Sequence, residues 1–232
     1  MIDIKNKVLF VHVPRTAGSN FCNMYYTNVL KNDICLDLYY DYVVGESTIL
    51  KHLTFDEYKY IYRTQDLDTY KQVGIVRNIF DLVVSVFYQT IHANRGVTFY
   101  HKFIEKNNKQ ISLESWIDCI SRMSDTNNLN KPFEKNPRVL MTQSNHYMNC
   151  SDECTLIDFE NYDAEVHDWF KENFNVEQNS TKYNKTGLSK QYDKRPYPIE
   201  RPVDYRDAYT DSTASQVAEL FADEIEVFGF TL

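Results

Sequence analysis

Short apolar runs alternate with stretches of helical periodicity along this chain. Lys7–Val13 (Lys-Val-Leu-Phe-Val-His-Val) is almost continuously apolar, the pattern of a strand covered on both faces. A small-residue segment, Pro14–Ser19, follows it, and helical spacing then runs from about Asn20 to Leu30. Ile34–Tyr40 reads as a second strand and Phe55–Arg63 as a helix, with Thr54 and Glu57 spaced as a capping box. Tyr70–Val76 is a third strand. Ile79–Ala93 is a helix with Phe80, Val83, Val84 and Phe87 on one face. Further on, the pattern predicts a helix over Ser112–Met123, a short strand at Thr155–Phe159 and a helix over Asp163–Phe174. A last amphipathic helix runs from Asp211 to about Val227 and stops at Gly229. Strands alternating with helices predict an α/β fold, a three-layer domain with a central parallel β-sheet flanked by helices. Asn94–Ile111, Met123–Arg138 and Glu177–Arg206 lack periodicity and are polar, as expected of long connections that build the substrate side of a site.

Composition narrows the class. With 232 residues, 43% of them hydrophobic and including 18 Tyr, 14 Phe and 2 Trp, the chain carries enough apolar surface for a core, which excludes disorder. The length predicts one domain over residues 1–232. No run approaches the ~18 apolar residues of a membrane span. The first apolar run is too short for a signal-peptide core and no small-residue cleavage site follows it, so a soluble, cytoplasmic protein is expected. The net charge of −8, from 25 basic and 33 acidic residues, argues against a generic nucleic-acid partner. Five scattered cysteines (Cys22, Cys35, Cys119, Cys150, Cys154) do not form a disulfide framework. His146, Cys150 and Cys154 lie at helical spacing, but three ligands without a second pair are better explained as buried small side chains, so no metal is expected. No heptad pattern bears on oligomeric state.

Candidate chemistry begins at the first strand–helix turn, Pro14-Arg15-Thr16-Ala17-Gly18-Ser19-Asn20. A strand, a small-residue turn and a helix place unpaired backbone N–H groups and the positive end of the helix dipole at one point, where an anion binds. Gly18 can supply a positive φ and close backbone approach, and Ser19 and Asn20 can add side-chain hydrogen bonds. The Gly-x-x-x-x-Gly-Lys-Ser/Thr spacing of a Walker loop is absent, and so is Gly-x-Gly-x-x-Gly. An ordinary strand–helix turn accounts for this segment alone equally well. A second segment tips the balance: Arg77 closes a strand and Ser85 lies two turns into the next helix, so a guanidinium fork and a hydroxyl could grip one phosphate from two sides.

Together the two segments resemble the sulfotransferases that use 3′-phosphoadenosine 5′-phosphosulfate (PAPS), most closely the carbohydrate-type branch with the heparan sulfate 2-O-sulfotransferases. Phe10-Val-His-Val-Pro-Arg-Thr-Ala-Gly-Ser-Asn-Phe21 is similar to that family's 5′-phosphosulfate loop, and Val76-Arg-Asn-Ile-Phe-Asp-Leu-Val-Val-Ser85 to its 3′-phosphate motif. Asp158-Phe-Glu-Asn-Tyr162, Tyr183-Asn-Lys-Thr-Gly187 and the ending Phe228-Gly-Phe230 resemble later family segments in the right order, so the resemblance spans nearly the whole chain. It implies a P-loop-like sulfotransferase fold and transfer of a sulfuryl group to an acceptor hydroxyl, with adenosine 3′,5′-bisphosphate as product and no metal. The implied cofactor contacts are Arg15, Thr16, Ala17, Gly18, Ser19, Asn20, Arg77, Ser85, Lys185 and Thr186. The implied acceptor is a glycan.

The resemblance also assigns chemistry. The family places a cationic residue at the bridging oxygen of the leaving group; here it is Arg15 rather than the commoner Lys, as in the tyrosylprotein sulfotransferases. Arg stabilises charge but donates a proton poorly. The acceptor hydroxyl needs a base, and His52, in Lys51-His-Leu-Thr-Phe-Asp-Glu57, matches the family's His segment between the two phosphate motifs. Glu46 is a fallback, His92 could face the acceptor, and His12 reads as a packed strand residue. Lys182–Arg206 holds seven basic and three acidic residues, a net of +4 that leaves −12 on the rest and concentrates positive charge beside the implied nucleotide. Two rival readings remain open: a catalytically silent nucleotide- or glycan-binding protein on the same fold, and a small-molecule kinase, disfavoured by the missing Gly-Lys-Ser/Thr.

Overall fold

The computed structural model describes residues 1–31, 52–92, 112–122, 141–176 and 201–232. The expected strand at Ile34–Tyr40 lies outside these residues, as do most of the three polar stretches. Strands β1 (Ile2–Asp3), β2 (Val8–Val11), β3 (Lys71–Val76) and β4 (Thr155–Asp158) form an open sheet in the order β1-β2-β3-β4. β1 is antiparallel to β2, whereas β2, β3 and β4 run parallel, with Phe10 opposite Val73 and Val73 opposite Thr155. The helices are α1 (Gly18–Asn28), α2 (Phe55–Ile61), α3 (Ile79–His92), α4 (Leu113–Ser121), α5 (Gln143–Tyr147), α6 (Tyr162–Phe174), α7 (Asp211–Leu220) and α8 (Ala222–Phe228). No helix among the described residues is long and apolar enough to cross a membrane.

The chain divides into two compact units, Met1–Arg77 with Thr126–Tyr183, and Asn78–Asp125 with Asn184–Leu232. In the first, one sheet face offers Val8, Phe10, Val73, Ile75 and Ile157, and α1 and α6 pack their apolar stripes on it. Those stripes are Phe21, Met24 and Tyr25 on α1, and Tyr162, Val166, Trp169 and Phe170 on α6, the spacings of one helical face. Aromatic contacts dominate the seam, with Phe21 4.3 Å from Phe10 and 5.2 Å from Trp169 between ring centroids. On the opposite face α5 lies over Gly74, where a Cβ would stand 2.6 Å from Tyr147 Cζ. Beside α5 sits α2, tied through Asn149 Nδ2, which donates to Asp56 Oδ2 at 3.0 Å. Helices thus cover both faces, which is why all of β2 is buried.

The second unit is helical among the described residues. Phe87 of α3 packs 6.0 Å from Trp116 of α4, and Phe80 makes an edge contact with Tyr209 at 5.7 Å. Burial on α3 extends beyond the expected stripe to Leu82 and Ser85. The single C-terminal helix expected from Asp211 to Val227 is instead two, α7 and α8, broken at Phe221 (φ −123°, ψ 34°). Phe221 is buried at the break, and periodicity runs straight through it because a backbone turn that buries one ring leaves no pattern of its own.

Candidate anion-binding site

The loop between β2 and α1 is built on two left-handed residues, Arg15 (φ 68°) and Ala17 (φ 64°, ψ 10°). Each disfavours an L side chain by about 1–2 kcal/mol, so the surrounding contacts must hold the turn. The sequence reading put the positive φ on Gly18. The structure puts it on Arg15 and Ala17, and Gly18 opens the helix. Glycine is required there for another reason, since a Cβ would run into the His12 ring, 2.6 Å from its Cγ. Thr16 is buried and its hydroxyl donates to Val13 O at 2.9 Å, stapling the loop to itself. The N-cap of α1 is Ala17, which has no side-chain acceptor for the helix's first N–H groups. Ala17 O receives Asn20 N–H at 2.8 Å and Phe21 N–H at 3.2 Å. Ser19 is exposed, and Asn20 Oδ1 accepts from Tyr162 Oη at 2.8 Å, which orients its amide.

Arg77, at the C-terminal end of β3, brings the second motif to the first. Its guanidinium lies 4.1 Å from the Phe159 ring centroid, and Nη1 donates to Arg15 O at 2.6 Å. The backbone of Arg77 is held as closely. Its N–H donates to Gln143 Oε1 and its carbonyl accepts from Gln143 Nε2, both at 2.8 Å. One turn along α5, Tyr147 Oη accepts from Ile75 N–H at 3.0 Å and donates to Ile75 O at 2.8 Å. The pairing follows from geometry: four residues of helix rise about 6 Å, and two residues of strand rise about 6.6 Å.

It also follows from topology. Lys71 N–H bonds Lys7 O, so the odd-numbered amides of β3 point toward β2. The ladder with β2 ends at Val11 opposite Gly74, because β2 leaves to form the loop. Tyr147 and Gln143 serve the two odd-numbered amides at that end of β3. Sequence reasoning missed both residues, and Gln-x-x-x-Tyr spacing is the signal that could have found them.

His52 reaches the base of the loop. Its Nδ1 lies 3.0 Å from His12 O, and the two imidazoles meet edge to face at 4.7 Å. His12 is a packed residue, as expected, stacked 5.5 Å from Phe10. The first unit thus assembles Arg15 to Asn20, His52 and Arg77. Ser85 is buried on α3 in the second unit. Glu46, Lys185 and Thr186, and the side chain of His92, lie outside the described residues. His146 is fully buried with Nδ1 at 2.7 Å from Thr142 O. The Cys150 and Cys154 thiols interact: the hydrogen bond to Cys154, then burial, pushes Cys150 up, while the same bond holds Cys154 down. No group of three or more metal-ligating side chains occurs among the described residues.

Comparison with family models, with curated proteins and with solved structures gives no match.

Proposed function

We propose that this protein is a PAPS-dependent sulfotransferase that transfers a sulfuryl group to an acceptor hydroxyl, on a carbohydrate, by in-line displacement. The observation that carries the reading is the bond from Arg77 Nη1 to Arg15 O, which joins two motifs 62 residues apart beside the uncapped start of α1. In the reaction the acceptor oxygen forms a bond to sulfur as the bond from sulfur to the bisphosphate oxygen breaks. Charge develops on that leaving oxygen, so fixed dipoles and cations aimed at it lower the barrier. The N–H groups at the start of α1 would hold the 5′-phosphosulfate, with Arg15 at the bridging oxygen. Arg77 would take the 3′-phosphate.

His52 would take the acceptor's proton. His12 O can only accept, so the 3.0 Å contact is donated by Nδ1–H, and in the neutral imidazole the lone pair then lies on Nε2, the tautomer a general base needs.

Calorimetric titration with adenosine 3′,5′-bisphosphate, followed by radiolabelled sulfate transfer to a panel of glycan, tyrosyl and small-molecule hydroxyls, tests the reading. Binding with transfer to a glycan is expected. Arg15→Ala should abolish transfer, and near-normal turnover would sink the assignment. His52→Ala should lower the rate by about 10²–10⁴-fold while sparing nucleotide affinity. Binding without transfer to any acceptor would favour a silent binding protein, and preference for ATP a kinase.

A further inference from the structure

The strongest unassigned feature is the pair of hydrogen bonds between the Gln143 side chain and the backbone of Arg77. Gln143 is fully buried, and both ends of its amide are used on one residue, at 2.8 Å each. That residue closes β3 beyond the end of the ladder with β2. Tyr147 already holds Ile75, so the strand is secured one residue pair earlier. What Gln143 adds is a hold on the two peptides that flank the Arg77 Cα, from which the side chain departs toward Phe159 and Arg15 O. A tilt of that backbone moves a long side chain by a lever, and a displacement of about 1 Å at a binding group can cost up to about 10²-fold.

We infer that Gln143 is a positioning residue of the anion site: by holding both backbone polar groups of Arg77, on either side of its Cα, it sets the guanidinium against the Arg15 carbonyl and toward the nucleotide's 3′-phosphate. The inference rests on the sulfotransferase reading for the identity of the ligand and on the described geometry for the role of Gln143. A guanidinium has five N–H donors in a rigid fork, so one can be used on Arg15 O while the fork still engages phosphate, provided its plane is fixed. The Phe159 ring fixes that plane from one side and the Gln143 clamp fixes where the side chain starts.

The test is calorimetric affinity for adenosine 3′,5′-bisphosphate and for AMP, with thermal melts by circular dichroism, on the unaltered chain and three variants. Gln143→Leu removes both hydrogen bonds at similar bulk. Gln143→Glu keeps an acceptor for the Arg77 N–H and loses the donor to its carbonyl. Gln72→Leu is the structural control, a buried Gln on the same strand whose Nε2 donates to Leu67 O at 3.0 Å and whose Oε1 accepts from Ser151 N–H at 2.8 Å, remote from Arg77 along β3.

Gln143→Leu should weaken bisphosphate binding by about tenfold or more and AMP binding by about threefold or less, with Gln143→Glu between it and the unaltered chain. Gln72→Leu should lower the melting temperature and leave the affinity of the folded protein in place. Bisphosphate affinity within twofold of normal in Gln143→Leu would overturn the inference, as would an equal loss in Gln72→Leu. If Gln143→Leu does not fold, Gln143→Glu decides alone: weakened bisphosphate binding supports the role and unchanged binding overturns it. Failure of the unaltered chain to bind either nucleotide would instead overturn the sulfotransferase reading, and with it the ligand assigned to this site.

Discussion

One methyl group decides whether the β2–α1 loop can close. The His12 ring occupies the space a side chain at position 18 would need, so Gly18 is a steric requirement rather than a conformational one. The left-handed turns fall to Arg15 and Ala17, where a glycine would be easier. Gly18→Ala should therefore destabilise the fold by about 1–3 kcal/mol, read as a lower urea midpoint. An unchanged midpoint would mean that His12 swings aside, and the His12–His52 contact with it. The candidate residues Arg15, Thr16, Gly18 and Arg77 stood out in the sequence only when the two segments were taken together, since an ordinary strand–helix turn accounts for the first segment alone equally well. Their division of labour was not: Thr16 secures the loop internally through Val13 O, and Arg77 secures it from outside through Arg15 O.

At the scale of elements, legibility followed length and capping. Thr54 and Glu57 cap α2 reciprocally, with Glu57 Oε2 accepting from Thr54 N–H at 2.7 Å, and Ser112 and Ser115 do the same for α4. Both boxes are local chemistry, and the first reads directly from the Thr-x-x-Glu spacing. α5, with five residues, is too short to show a period, yet two of its three buried side chains, Gln143 and Tyr147, finish the ladder of β3. In the helical unit, Tyr209 Oη donates to Phe80 O at 2.8 Å at the N-terminal end of α3. Burial first, then the charge of Asp81 and the neighbouring Tyr205, raise the Tyr209 phenol above its ordinary value of 10.0. The fold therefore favours the protonated form. Its contribution is full below pH 10.0 and is lost as pH rises above the unfolded-state value. Tyr209→Phe should cost about 1–2 kcal/mol at neutral pH, and the gap between variant and unaltered urea midpoints should narrow above pH 10. A gap independent of pH would mean that the phenol titrates normally.

For the whole molecule, the charge balance and the proposed ligand oppose each other. A chain of net −8 repels a polyanionic nucleotide at a distance, while Arg15 and Arg77 attract it close in. Screening separates the two, since the Debye length falls from about 30 Å at 0.01 M salt to about 8 Å at 0.15 M. The stopped-flow association rate of adenosine 3′,5′-bisphosphate should accordingly rise over that range; a fall would mean that a local basic segment governs the approach. The α/β alternation, with the parallel sheet it predicts, and the strand–loop–helix start were legible in the sequence alone, because periodicity and capping act within a few residues. Which strands pair was decided by the tertiary structure. Only the tertiary structure decided that Arg77 would meet Arg15, and that Gln143 and Tyr147 would take the amides of Arg77 and Ile75 across 66 and 72 residues. Those contacts depend on where β2 departs from the sheet and leaves polar backbone to be satisfied, and no local window of sequence contains that position.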